Sequence, residues 1–110
     1  MEIFVTYLYK NMSCISDTSA LISIRKLGDG SFGTVTLMQD PNNNNKEFAV
    51  KSEPLTAEIP QLAYEARIYK KLHNVGGVPM AYDLWKSKTH LNLAMDPMGP
   101  SLQLLLDKIT

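Results

Sequence analysis

The sequence predicts an α+β domain, a five-stranded antiparallel sheet with one helix packed across it. Three observations carry this expectation. Five short segments, 21–27, 34–39, 47–52, 82–86 and 89–95, are apolar-rich or alternate between apolar and polar residues, as strands do. Turn chemistry separates most of them: glycines at 28, 30 and 33, Asp40-Pro41 followed by Asn42–Asn45, and Ser87-Lys88. Between the third and fourth segments lies a longer window, 61–73, in which Leu62, Tyr69 and Leu72 recur at helical spacing. The short turns predict sequential antiparallel pairing of the strands.

Composition narrows the function classes. The chain has 110 residues, enough for one small domain. Eleven Lys+Arg balance eleven Asp+Glu, and the pI is near 6.7. Such a balance gives no electrostatic footprint for nucleic acid or for an anionic membrane. The single cysteine, Cys14, excludes an intrachain disulfide and a Cys-rich metal site. It fits a reducing compartment, so a cytoplasmic protein is expected, with the nucleus as the other location. His73 and His90 are far apart and lack spaced partners, and both read as surface residues. No apolar run reaches the roughly 18 residues of a membrane span. Met1–Tyr9 is apolar but contains Glu2 and lacks a basic flank, so it does not read as a signal peptide.

Residues 1–20 read as an N-terminal extension of uncertain structure, with a polar connector at Ser13–Ser19. Next comes the stretch KLGDGSFGTVTLMQ, in which Gly28, Gly30 and Gly33 give G-x-G-x-x-G. Such glycines can write three phosphate-binding loops. A Walker A loop needs Lys and Ser/Thr after the last glycine, and here Thr34-Val35 follow instead. A Rossmann turn needs a helix there, but Thr34-Val35-Thr36 favours a strand. A strand–loop–strand hairpin remains, its bare backbone free to approach phosphates closely.

In the third strand, alternation puts Phe48 and Val50 on one face and Ala49 and Lys51 on the other. Taken alone, Lys51 reads as a solvated strand residue. The helix changes that reading. Glu58-Ile59-Pro60 is read as its opening, Gly76-Gly77 as its stop, and Glu65 completes its apolar stripe. A carboxylate in such a stripe is costly unless a cation meets it. Either Glu65 lies at the stripe edge in contact with water, or it pairs with Lys51. In the fifth strand Leu91, Leu93 and Met95 share a face. Asp96-Pro97-Met98-Gly99-Pro100 then reads as a linker, and Ser101 as the cap of a last helix rich in leucine.

The order of these elements, with KLGDGSFGTV, AVKSE, PQLAYEARIYKKL, GGVP and MGPSL, resembles the N-terminal lobe of eukaryotic protein kinases. More narrowly it resembles the casein kinase 1 family of serine/threonine kinases, over about residues 21–108. The resemblance implies a kinase-like lobe at 21–110, ending at the hinge and the start of the next helix. It implies ATP as ligand, with Leu27 and Val35 above the adenine, Ala49 lining the same pocket and Met95 as gatekeeper. The Asp96 carbonyl and Met98 N–H would bond the adenine edge. The backbone of Gly28, Asp29, Gly30, Ser31, Phe32 and Gly33, with Thr34 beside it, would fold over the phosphates. Lys51 would contact the α- and β-phosphates, and Glu65 would orient Lys51. Pro97 departs from the family's usual pattern, but it removes an N–H that adenine does not need.

No His-Arg-Asp and no Asp-Phe-Gly occurs in these residues. The catalytic base and the Mg²⁺ ligands of the family are therefore not among them. The expectation is an ATP-binding lobe of a kinase that phosphorylates Ser/Thr of protein substrates when complete, inactive in phosphotransfer as this chain alone. Mg²⁺ would come only with the rest of the kinase. The alternative is a non-catalytic, kinase-like interaction module.

Overall fold

A computed structural model describes residues 14–30, 33–72 and 75–97. Five strands form one antiparallel sheet: β1 Ile22–Gly30, β2 Gly33–Asp40, β3 Lys46–Pro54, β4 Ala81–Lys86 and β5 His90–Met95. One helix, α1, spans Leu62–Lys71 between β3 and β4. Residues 1–13, the leucine-rich segment 101–110, Ser31, Phe32, His73, Asn74 and 98–100 lie outside the described residues.

The expected α+β sheet with one packed helix is what forms, but one neighbour differs. The spatial order is β1-β2-β3-β5-β4, so β5 inserts between β3 and β4. Tight turns fix the order only where they exist, and a helix rather than a turn links β3 to β4. Burial decides the rest. All of β5 except His90 is buried, whereas β4 has buried residues only at Asp83 and Leu84. The strand with apolar demand on both faces takes the interior position. The β2–β3 turn follows its sequence closely. The Asp40 carboxylate accepts from Asn42 N–H at 3.0 Å, and Asn44 and Asn45 take positive φ, which asparagine tolerates.

The sheet buries both faces. On the inner face α1 lays Leu62, Ala63, Ala66 and Tyr69 over Ala49, Leu84, Leu91, Leu93 and Met95. On the outer face Phe48, Val50 and Ala94 pack with Ile15, flanked by Leu21, Met38, Tyr82 and Trp85. The connector read as polar thus contributes a buried anchor, Ile15. Its N–H donates to the Asp83 carboxylate at 3.1 Å. Burial raises the Asp83 carboxyl above its ordinary value, against the two backbone N–H bonds that lower it. A raised carboxyl pKa gives stability that is full below the unfolded value and lost as pH climbs through the folded one.

The helix starts later than the sequence suggests. Glu58 and Ile59 are exposed, and the helix opens at Leu62, beyond Pro60. Its N-cap residue, Gln61, makes no side-chain cap. Instead the Glu53 carboxylate, on β3, accepts from Gln61 N–H at 2.6 Å and Leu62 N–H at 3.0 Å. One buried carboxylate thereby satisfies two orphan amides and sits at the positive end of the helix dipole. Glu53→Ala should cost about 1–2 kcal/mol, read as a lower urea midpoint at unchanged m-value. A midpoint equal to wild type would show that water caps this helix equally well.

Candidate functional site

Antiparallel register gathers the site on the inner face. Val35 lies opposite Lys51, and Lys51 opposite Leu93. The neighbouring row on that face runs Leu37, Ala49, Met95. Val35 packs against the cluster that holds Ala49 and Met95, both fully buried. Leu27 sits at a bulge, where the β1–β2 register shifts between Lys26 and Gly28. A bulge re-aims a side chain, and Leu27 stays 37% exposed at the sheet edge.

Lys51 and Glu65 meet across the inner core. Lys51 Nζ donates to Glu65 Oε2 at 2.8 Å and to Oε1 at 3.1 Å, and both side chains are 4% exposed. Alternation on β3 turns the ammonium toward α1, and helical spacing turns the carboxylate toward the sheet. The alternative of Glu65 at a wetted stripe edge does not occur. Four residues on, Tyr69 is fully buried, and its hydroxyl has no hydrogen-bond partner among the described residues. Burial, and after it the nearby Glu65 charge, raise this phenol well above its usual range.

The glycines divide by role. Gly30 pairs with Gly33, and Ser31 and Phe32 lie outside the described residues. A Cβ on Gly28 would meet nothing within 4 Å. A Cβ on Gly33 would lie 1.8 Å from the Ser52 carbonyl oxygen. Gly33 is therefore required by close passage over β3, a reason the motif alone does not reveal. Thr34 continues β2, opposite Asp29 on one side and Ser52 on the other. The Asp29 carboxylate pairs with Lys26 at 2.7 Å on the exposed surface.

At the exit of β5, Asp96 N–H donates to the Met80 carbonyl at 3.0 Å. Its carboxylate accepts from Met80 N–H at 2.9 Å and from the Tyr82 hydroxyl at 2.5 Å. Met98 lies beyond the described residues. Glu53 and the Tyr82–Asp96 bond escape sequence reasoning, because both depend on contacts distant in the chain. The described residues contain no group of three or more His, Cys, Asp or Glu able to hold a metal ion. None of their helices is long and apolar enough to cross a membrane.

A five-stranded antiparallel sheet, an α-helix across it and a buried Lys–Glu pair between them match a protein-kinase N-lobe. Sequence comparison narrows the class. Over 84 residues the chain is 40% identical to casein kinase I homolog 1 of Schizosaccharomyces pombe, covering 76% of this chain and 18% of that protein. It is 41% identical over 85 residues to casein kinase I homolog 2 of the same yeast, covering 76% and 19%. With casein kinase I homolog 1 of Saccharomyces cerevisiae it shares 35% over 103 residues, covering 88% and 19%. The chain thus spans less than a fifth of the length of these curated relatives. No protein-family model matches it. This chain is a casein kinase 1-like protein-kinase N-terminal region.

Proposed function

We propose that the chain binds ATP as the nucleotide lobe of a casein kinase 1-like serine/threonine kinase. The observation that carries this reading is the Lys51–Glu65 pair, buried on the same face as Val35, Ala49 and Met95. A buried ammonium held by a carboxylate is a fixed cation beside apolar side chains, which suits a phosphate next to an aromatic base.

In this reading the adenine lies between Leu27 and Val35 on one side and Ala49 on the other, with Met95 at the back. The Asp96 carbonyl and Met98 N–H bond its edge. The glycine hairpin, Gly28 to Gly33, covers the phosphates, and the open space at Gly28 leaves the backbone accessible there. Lys51 takes the α- and β-phosphate oxygens, and Glu65 keeps its ammonium aimed. Among the described residues no group of three or more His, Cys, Asp or Glu stands together to hold Mg²⁺. A base for the acceptor hydroxyl is likewise missing, because no described aspartate stands in an H-R-D context. This chain alone therefore binds nucleotide without transferring phosphate. Transfer to Ser/Thr of a protein substrate belongs to a kinase that supplies those groups.

The reading is tested by titrating the ¹⁵N-labelled chain with ATP. Shifts should concentrate at Val35, Ala49, Lys51 and Asp96 and spare the outer-face residues Phe48, Val50 and Trp85. Shifts confined to the outer face would overturn the site.

A further inference from the structure

We infer that Tyr82 is a positioning residue for purine recognition, holding Asp96 where the proposed site meets the adenine 6-amino group. The inference rests on the nucleotide-binding reading above and adds a residue that neither the glycine motif nor the Lys–Glu pair identifies.

A bulge in β4 sets the position of Tyr82. Across β4 and β5, Ala81 pairs with Met95, and the next pair is Asp83 with Ala94. Tyr82 is the extra residue, and it packs against the outer-face cluster. From there its hydroxyl reaches Asp96 Oδ1 at 2.5 Å. Met80 N–H binds the other carboxylate oxygen at 2.9 Å, and Asp96 N–H returns to the Met80 carbonyl at 3.0 Å. These three bonds engage the N–H and both carboxylate oxygens of Asp96. The carbonyl is the group that the proposed site gives to adenine. A residue pinned on its other polar atoms presents that carbonyl in one place, which is what discrimination between a donor and an acceptor requires.

The tyrosine is itself held. Phe48 meets its ring edge-on at 5.3 Å between centroids, and Lys46 Nζ stands 4.2 Å from its centroid. The bond to Asp96, followed by burial, pushes the phenol up to about 12, so it remains a donor at physiological pH. The geometry assigns Tyr82 no contact with nucleotide. It acts through Asp96.

The test compares ATP with ITP, which carries a carbonyl where ATP carries the 6-amino group. Wild-type chain should prefer ATP. Tyr82→Phe keeps the ring against Lys46 and Phe48 and deletes only the donor. It should narrow the ATP-to-ITP affinity ratio about three- to tenfold, the equivalent of one hydrogen bond. Asp96→Asn, which replaces one accepting oxygen with a donor, should narrow it as well and carries the test should the phenylalanine variant not fold. A merely structural role would weaken both nucleotides by one factor and leave the ratio unchanged, which overturns the inference alone. Failure of the wild-type chain to bind either nucleotide overturns the inference together with the reading beneath it. Equal wild-type affinities for the two nucleotides overturn the inference, because Asp96 would then not meet the amino group, and leave the nucleotide-binding reading standing.

Discussion

Lys51→Met should destabilise the lobe by about 3–5 kcal/mol, because it leaves the buried Glu65 carboxylate without its ammonium. Both side chains are 4% exposed, so water cannot readily take over the lost interaction. Methionine fills much the same space, and the cost is therefore electrostatic rather than a cavity. Lys51→Met with Glu65→Leu removes both charges and should recover most of the loss. Buried ion pairs are often neutral to replacement as a pair, though costly to break singly. A double-mutant cycle by urea denaturation reads this directly. Equal losses in the single and double variants would mean that packing, not charge pairing, holds α1 to the sheet.

Gly33→Ala should be the second large effect, at about 2–3 kcal/mol. Its Cβ would stand 1.8 Å from the Ser52 oxygen, which is backbone and cannot rotate aside. Relief requires the β2 end to lift from β3, and Thr34, paired with Ser52, would lift with it. Gly28→Ala supplies the control, since nothing lies within 4 Å of the added carbon. It should change stability by less than about 1 kcal/mol. Similar melting temperatures for the two variants would show that the hairpin yields at Gly33 without cost.

Much of this fold was legible from residues alone, because each strand carries its own alternation and most of its own turns. Lys51 and Glu65 were legible for a sharper reason. A charge inside an apolar pattern demands a partner, and the two patterns faced one another. What the sequence hid is non-local. The place of β5 depends on competition for the sheet interior, not on any turn. Glu53 reads as a polar strand end, yet it caps a helix across a loop. Tyr82 reaches Asp96 only because a bulge shifts β4 by one residue. Ile15 lies in a segment whose polar neighbours outweigh it, and only the apolar outer face reveals its role. Of the glycines, the motif treats all alike, whereas Gly33 answers to the neighbouring strand and Gly28 does not.

The central claim is that Lys51 meets nucleotide phosphate while the apolar side chains beside it meet the base. It is tested most directly by measuring ATP and adenosine affinities of wild type and of the charge-free double variant, Lys51→Met with Glu65→Leu. This variant retains the core and lacks only the ammonium and its carboxylate. Wild-type ATP binding is expected on the order of 0.1–1 mM, given that the described residues hold no group of three or more metal-ligating side chains. The account predicts at least a roughly tenfold loss of ATP affinity in the variant, the equivalent of about 1.4 kcal/mol, with adenosine affinity unchanged. Equal ATP affinity in the two chains would contradict it, because the lysine would then lie away from phosphate.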